Sequence, residues 1–555
     1  EVEEHEQPES QLKSSDTTPE FQVLEQVLPL KSNLEDKCTQ TISVIQRTVS
    51  MQYRPPYRSK FVQTDIVCTK YGMELFSIKK NEKVGRYAVA KQKLKPGDII
   101  FSEKPFAYGP KSDTYCLCLG CHTYVDCTTL CSKCSWPVCG PECENLPCHK
   151  DYECEVFSKA KIKFQSVEDP TNVCLQYECI TPLRVLLAKE KDPKRWEEEI
   201  QLMEAHNNIR KQRPIWKFNQ HNIVEYLRGP CKLDRFSEEL IHTICGILEV
   251  NAFEARTSTG YLIRCLFPKF AILSHNCVSN IHHAINCKGT GDSEDFSSYT
   301  YSLWPTLVRR EFLRESKFFE CTCKRCSDKT ELGTHSSTLK CNKCDNGVII
   351  STDPLDDKCE WKCTHCEFKT NATAVRKVFA AIQADIDAVE YVSGPEGIET
   401  RESLYRKYRS VLHPKNAYMS ILRSALIQLY GKTEGYELGD LPNILLERKV
   451  EFCTQLLEVL DVIEPGYSRI RGITLYELHG PLMALAKHEY ENDNITKQDF
   501  RNELQKAIDT LGKAVEILKQ EPETLPEGQL AKIAETGYKQ LGENFDKLVD
   551  SALNF

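Results

Sequence analysis

Eight consecutive residues from Leu273 to Asn280, Leu-Ser-His-Asn-Cys-Val-Ser-Asn, gather an imidazole, a thiol and two carboxamides. They lie between an apolar approach (Leu266, Phe267, Phe270, Ile272) and a histidine pair, His282 and His283. An imidazole can move a proton or bind a metal, a thiolate is a soft metal ligand, and a carboxamide donates and accepts at once. Polar density of this kind after an apolar run marks a site.

The other residues that could do chemistry are cysteines, 28 in 555. Cys118-x2-Cys121, nine residues, Cys131-x2-Cys134, four residues, Cys139-x3-Cys143, then His149 and Cys154 supply eight ligands, enough for two tetrahedral zinc ions. An interleaved pairing sets Cys118, Cys121, Cys139 and Cys143 on one ion and Cys131, Cys134, His149 and Cys154 on the other, with Cys148 open as an alternative to His149. Cys116 and Cys127 are left over. Cys321-x-Cys323-x2-Cys326 offers three thiolates, one short of a site. Cys341-x2-Cys344, eighteen residues, Cys363-x2-Cys366 fits a zinc ribbon with ligand pairs on two tight turns. Cys359 is then spare, as are Cys38, Cys68, Cys174, Cys179, Cys231, Cys245, Cys265, Cys287 and Cys453. Such spacings suit thiolates around zinc better than disulfides and predict a reducing compartment.

The elements that position these groups read as follows. Residues 1–70 are polar and acidic with short apolar pieces, and a mostly disordered tail is expected. Leu75, Phe76, Ile78, Tyr87, Val89, Leu94 and Ile99 to Phe101, broken at Pro96-Gly97-Asp98, predict short strands joined by tight turns. The stretch from Cys116 to Cys154 shows almost no apolar periodicity, so metal is expected to supply its stability. Residues 155–250 look helical (Leu183, Leu186, Leu187, Trp196; Phe236 to Val250), and strand and loop character returns over Gly260 to His283. Beyond residue 372 helical spacing recurs, as in Val375, Val378, Ile382, Ile386, Val389 and in Leu504, Ile508, Leu511, Val515, Leu518, while Ala417 to Tyr430 ends at a capping Gly431. Antiparallel helical hairpins are the predicted packing.

Composition bounds the partners. Lys and Arg number 72 against 80 Asp and Glu, a net charge of -8, so there is no general basic field for nucleic acid. No stretch approaches the roughly 18–20 apolar residues that cross a bilayer, and Glu1 to Glu9 is acidic, unlike a leader. A soluble, monomeric intracellular protein is expected, without nucleic acid or membrane partners. The chain opens on Glu1, so the natural N-terminus is expected upstream.

The first cysteine cluster resembles a MYND finger, and the residues around it resemble the SET and MYND domain (SMYD) family from about residue 76 to the C-terminus. Leu339 to Cys366 and Glu521-Pro-Glu-Thr-Leu-Pro-Glu-Gly528 are most similar to its arthropod-specific branch, SmydA. The resemblance implies an α+β fold. Its parts would be a β-rich SET domain (71–115 and 251–317) with an inserted MYND zinc finger (116–154) and a helical insert (155–250), a post-SET zinc segment (318–330), a zinc-ribbon-like segment (335–370), and an all-α, TPR-like helical C-terminal domain (372–555). It implies S-adenosylmethionine as cofactor, and Cys277 as the fourth ligand beside Cys321, Cys323 and Cys326, which brings the zinc count to about four.

By the same resemblance, Gly85 and Arg86 in Val84-Gly85-Arg86-Tyr87-Ala88 take the place of the cofactor loop. Asn251 in Asn-Ala-Phe253, with Ser274 and His275 of the central signature, would contact cofactor. Tyr299 would line the channel where a lysine amine meets the methyl group, and Phe319 would wall the adenine. Four departures stand out: Tyr87 in place of a second glycine, Ser274 in place of asparagine, Ser279 in place of proline, and a short polar Gly289 to Phe296 where two strands are usual. Two functions therefore stay open. One is a protein-lysine methyltransferase, with a transcriptional role and a nuclear or cytoplasmic location. The other is a catalytically degenerate zinc-binding adaptor that holds Pro-rich peptides on its MYND finger and uses its helical domain as a second interface.

Overall fold

The computed structural model describes residues 75–81, 85–95, 97–257, 260–282, 299–546 and 549, with the backbone of 293–294. The tail over 1–70, Val84, His283 and most of Gly289 to Phe296 lie outside the described residues.

The described residues open with a hairpin of β1 (Phe76–Asn81) and β2 (Gly85–Ala90), paired from Phe76↔Ala90 to Asn81↔Gly85. Gly85 sits at φ +68, the left-handed region that a side chain resists, so glycine suits the start of β2. Lys95 and Asp98, which flank the predicted turn, bond to each other: the Lys95 amide donates to the Asp98 carboxylate at 2.6 Å, and the Asp98 amide to the Lys95 carbonyl at 3.1 Å. The strand expected over Ile99 to Phe101 after that turn is displaced: the residues that pair are β3 (Ser102–Glu103), with β7 (Ser293–Glu294). That pairing places a short strand inside the polar segment whose composition predicts none.

A three-stranded antiparallel sheet in the order β4 (Ala107–Pro110), β6 (Leu262–Leu266), β5 (Phe253–Arg256) follows. Alternation along β6 turns Ile263 and Cys265 inward onto Ala255, Phe267 and Phe270, a small core directly beneath the Leu273 to Asn280 loop. The segment between β4 and β5 holds the cysteine finger and the helices α1 (Glu153–Ala160), α2 (Ile180–Lys191) and α3 (Glu238–Asn251). Ser237 caps α3 by accepting from the Leu240 amide, and Ile241, Ile244, Ile247 and Leu248 form its buried face. Gly246 is required there, because a Cβ would land on the Ala205 carbonyl.

The finger adds to its metal clusters an apolar core that its lack of periodicity does not predict. Leu117, Leu119, Trp136, Val138 and Phe157 are all buried in one core with α2 and α3, and Trp136 stacks on Phe157 with centroids 4.4 Å apart. The apolar residues come from separate loops, so no periodic pattern announces them.

After the loop comes α4 (Thr306–Lys317), ended by Phe318 in a left-handed conformation at φ 59, which turns the chain into Phe319 and the next cysteines. A four-stranded antiparallel sheet in the order β11 (Lys369–Asn371), β10 (Glu360–Cys363), β9 (Val348–Ser351), β8 (Leu339–Lys340) carries the last two cysteine pairs. It shares a core with the helical region through Leu339, Ile349 and Trp361. Seven helices then succeed one another: α5 (Ala372–Ala388), α6 (Gly394–Tyr408), α7 (Ala417–Leu429), α8 (Asn443–Ile463), α9 (Arg469–Glu491), α10 (Lys497–Leu518) and α11 (Pro526–Glu543), each packed on the next. Helix α7 stops at Leu429, and Gly431 follows at φ +87, as its capping role predicts.

No described helix is long and apolar enough to cross a membrane.

Candidate metal centres and pocket residues

Among the described residues, four groups of side chains converge so that all ligand atoms in each lie within 4.8 Å of one another. They are Cys118, Cys121, Cys139 and Cys143; Cys131, Cys134, His149 and Cys154; Cys277, Cys321, Cys323 and Cys326; and Cys341, Cys344, Cys363 and Cys366. A tetrahedral zinc with Zn–S near 2.3 Å sets sulfurs about 3.8 Å apart, and a His nitrogen about 3.6 Å from a sulfur. The sulfurs of Cys131 and Cys154 are 3.7 Å apart, Cys277 and Cys321 3.8 Å, Cys341 and Cys366 3.6 Å, and Cys134 Sγ lies 3.6 Å from His149 Nε2. The donor chemistry and the spacings both fit zinc. Cys148 points elsewhere, its thiol donating to the Gly120 carbonyl at 3.2 Å.

Behind the second group lies a support that spacing alone does not single out. His149 Nδ1 bonds to Glu153 Oε1 at 2.9 Å, which leaves Nε2 free to ligate, and Glu153 is held in turn by Arg184 of α2 at 2.5 and 2.8 Å. Burial pushes the Glu153 carboxyl upward, but Arg184 and His149 outweigh it and hold its pKa below the ordinary value. The signal in the sequence was the four-residue step from His149 to Glu153. The partner Arg184 is apparent only from the fold.

The third group has a comparable frame. Glu331, buried, takes Arg309 at 2.9 Å and Arg325 at 3.2 Å. Arg309 also reaches Cys326 Sγ at 3.7 Å, and Arg325 donates to the Cys277 and Ser302 carbonyls at 3.4 and 2.6 Å. This joins α4, the 321–326 segment and the 273–280 loop around one metal position.

Beside it stand the residues expected to meet cofactor. Tyr299 donates its hydroxyl to the Leu273 carbonyl at 2.6 Å and its backbone N–H to His275 Nδ1 at 3.2 Å. His275 Nε2 lies 3.3 Å from Cys277 Sγ. The His275 ring sits 5.3 Å from Tyr299 and 5.8 Å from Phe319, and Phe253 lies 6.4 Å from Tyr299, centroid to centroid. The structure thus brings Tyr299, His275 and Phe319 together, and aromatic faces are the kind of surface that attracts a flat base or a cationic centre such as those of S-adenosylmethionine.

The polar residues are placed differently. Asn251 gives its amide hydrogens to the Glu204 and Ile247 carbonyls at 3.0 and 3.2 Å. Ser274 and Asn280 are exposed, while Ser279 is spent on a tight turn, donating to the Ile281 carbonyl at 2.7 Å. Gly85 opens β2 with no atom within 4 Å of where a Cβ would lie, and burial lowers the pKa of the Arg86 guanidinium.

Fold and clusters together define a SET architecture with an inserted two-metal finger, a third metal position after it, and a helical C-terminal domain. No family model matches the chain. Individual relatives do. SET domain-containing protein SmydA-8, isoform A, of Drosophila melanogaster is 30% identical over 312 residues, covering 53% of this chain and 65% of that protein. Its isoform B is 29% identical over 313 residues, 51% of this chain and 64% of the relative. Human N-lysine methyltransferase SMYD2 is 26% identical over 264 residues, 44% of this chain and 58% of the relative. The match therefore spans somewhat under two thirds of each relative's length. These matches support membership of the SET and MYND domain (SMYD) family, and within it the chain is most like the Drosophila SmydA branch.

Proposed function

We propose that the protein transfers a methyl group from S-adenosylmethionine to a lysine side chain of another protein. The observation that carries this reading is the placement of Tyr299, whose hydroxyl hydrogen is committed to the Leu273 carbonyl at 2.6 Å. When bound, S-adenosylmethionine supplies a methyl group on a cationic sulfur. Of the residues that the resemblance assigns to it, Gly85, Arg86, His275, Tyr299 and Phe319 are those that would hold it, while Asn251 and Ser274 are placed otherwise.

Burial pushes the Tyr299 phenol up to about 12, so it stays protonated at neutral pH and does not act as a base. With its hydrogen given to Leu273, its oxygen is left to accept an N–H from a neutral amine and aim the amine lone pair. His275 fixes the Tyr299 backbone, and the Phe319 and Phe253 rings flank His275 and Tyr299. The test is methyl transfer to lysine peptides by the zinc-loaded protein. Tyr299→Phe is expected to lower the rate about a hundredfold, the scale of a lost orienting contact, with zinc content unchanged. Equal rates in the two proteins would overturn the role of Tyr299.

A specific observation favours a second reading, in which the scaffold is a non-catalytic adaptor for Pro-rich peptides: the Asn251 amide hydrogens are both spent on carbonyls, and Ser274 has replaced a carboxamide. That reading predicts silence in a cofactor titration together with binding of a Pro-rich peptide. Under either reading we place the protein in the nucleus, the cytoplasm or both, with transcriptional regulation as the setting that the family resemblance supports.

A further inference from the structure

His275 has two faces. Its Nδ1 accepts the Tyr299 backbone N–H at 3.2 Å, which puts the ring hydrogen on Nε2, and Nε2 lies 3.3 Å from Cys277 Sγ. The imidazole therefore donates to a sulfur of the four-cysteine site while its ring flanks Tyr299 and Phe319. Tyr299 and Phe319, both partly buried, pack against the buried cluster that contains Cys277, so a zinc thiolate would stand next to the place where methyl transfer is proposed. This is a chemical hazard. Four thiolates on one zinc carry excess negative charge, and a thiolate is a better nucleophile than an amine.

We propose that His275 is a positioning residue that protects Cys277, its N–H bond to the sulfur quieting the thiolate against methylation. The inference rests on the methyltransferase reading above for its purpose. The reaction prevented is a simple displacement: the Cys277 sulfur lone pair forms a bond to the methyl carbon, the leaving group departs with the electrons of the broken bond, and the product, a thioether, is a poor zinc ligand. A second N–H, from Arg309 to Cys326 at 3.7 Å, acts in the same sense on the far side of the site.

Two substitutions separate the two faces of the ring. His275→Asn keeps a side-chain acceptor near the position of Nδ1 and loses the donor to sulfur. His275→Gln places an amide N–H near the position of Nε2 and restores it. The zinc-loaded full chain and both variants are first checked for equal zinc content, then treated with iodomethane. Methylation of Cys277 is followed by peptide mass spectrometry, and zinc release by a chromogenic chelator. Cys277 methylation is expected about fivefold faster in His275→Asn than in the unsubstituted protein, the size of one ordinary hydrogen bond, and near the unsubstituted rate in His275→Gln. Equal rates in all three proteins, or equally fast methylation in both variants, would overturn the proposal. Iodomethane reports on the thiolate whether or not the protein binds S-adenosylmethionine, so failure here is distinct from failure of the methyltransferase reading.

Discussion

At the scale of single residues, the site depends on where a few hydrogens are committed. Tyr299 gives its own to Leu273, Asn251 gives both of its amide hydrogens to carbonyls, and His149 gives Nδ1–H to Glu153, leaving Nε2 for metal. The last arrangement makes a prediction. Arg184→Met leaves Glu153 buried and without its cation, and breaking a buried pair in this way costs about 3–5 kcal/mol. The variant is expected to lose one zinc equivalent and to melt well below the unsubstituted protein; retention of all zinc at an unchanged melting temperature would show that Arg184 does not support the site. Of these commitments only the His149–Glu153 bond leaves a trace in sequence, as a four-residue step. Residue types and spacings can suggest that His149 ligates, because C-x2-C pairs place two thiols on one turn and leave few other candidates. They cannot say that Arg184 arrives from a helix more than thirty positions away.

At the scale of elements, the 273–280 loop and the 321–326 segment are held to each other by one metal position. Cys277→Ser is expected to remove one of four zinc equivalents, read by elemental analysis, and to loosen Phe319 from His275; unchanged zinc would refute the shared site. Buried charge plays the same holding role among the C-terminal helices. Glu477 of α9 is buried, which pushes its carboxyl upward, yet Lys449 and Lys432 hold its pKa below the ordinary value. A carboxyl depressed in the folded state contributes stability that is complete above its unfolded pKa and is lost as pH falls through its folded pKa. Acid unfolding of Glu477→Gln is therefore expected to show less destabilisation between neutral pH and pH 3 than the unsubstituted chain, measured by denaturant titration. Helices of this domain were legible because apolar residues repeat along one face. The strand expected over Ile99 to Phe101 forms instead at Ser102–Glu103, because β-prone residues make a strand only where a partner strand lies alongside, and that partner is distant in sequence.

At the scale of the whole molecule, the stretch Glu521 to Gly528, which resemblance to SmydA singles out, docks the helical domain on the SET sheet. Glu527 meets Arg256 of β5 at 3.3 Å and Arg469 of α9 at 3.6 Å, and Glu521 meets His282 at 3.0 Å. Gly528 allows the turn, since a Cβ would run into the Pro522 carbonyl. Glu527→Gln leaves Arg256 buried without its charge, again a cost of about 3–5 kcal/mol. It is expected to split thermal unfolding into two transitions in calorimetry; a single unshifted transition would show that the docking does not depend on this pair. The architecture as a whole was legible through the order of its cysteine clusters, whereas the contacts between its parts, made by residues far apart in the chain, were not.

The central claim is that the aromatic residues around the zinc-held loop bind S-adenosylmethionine. Isothermal titration of S-adenosylmethionine into the zinc-loaded protein tests it most directly. Saturable binding with one site per chain, weakened by Phe319→Ala while zinc content stays the same, is the predicted result. No detectable binding up to millimolar cofactor would contradict it.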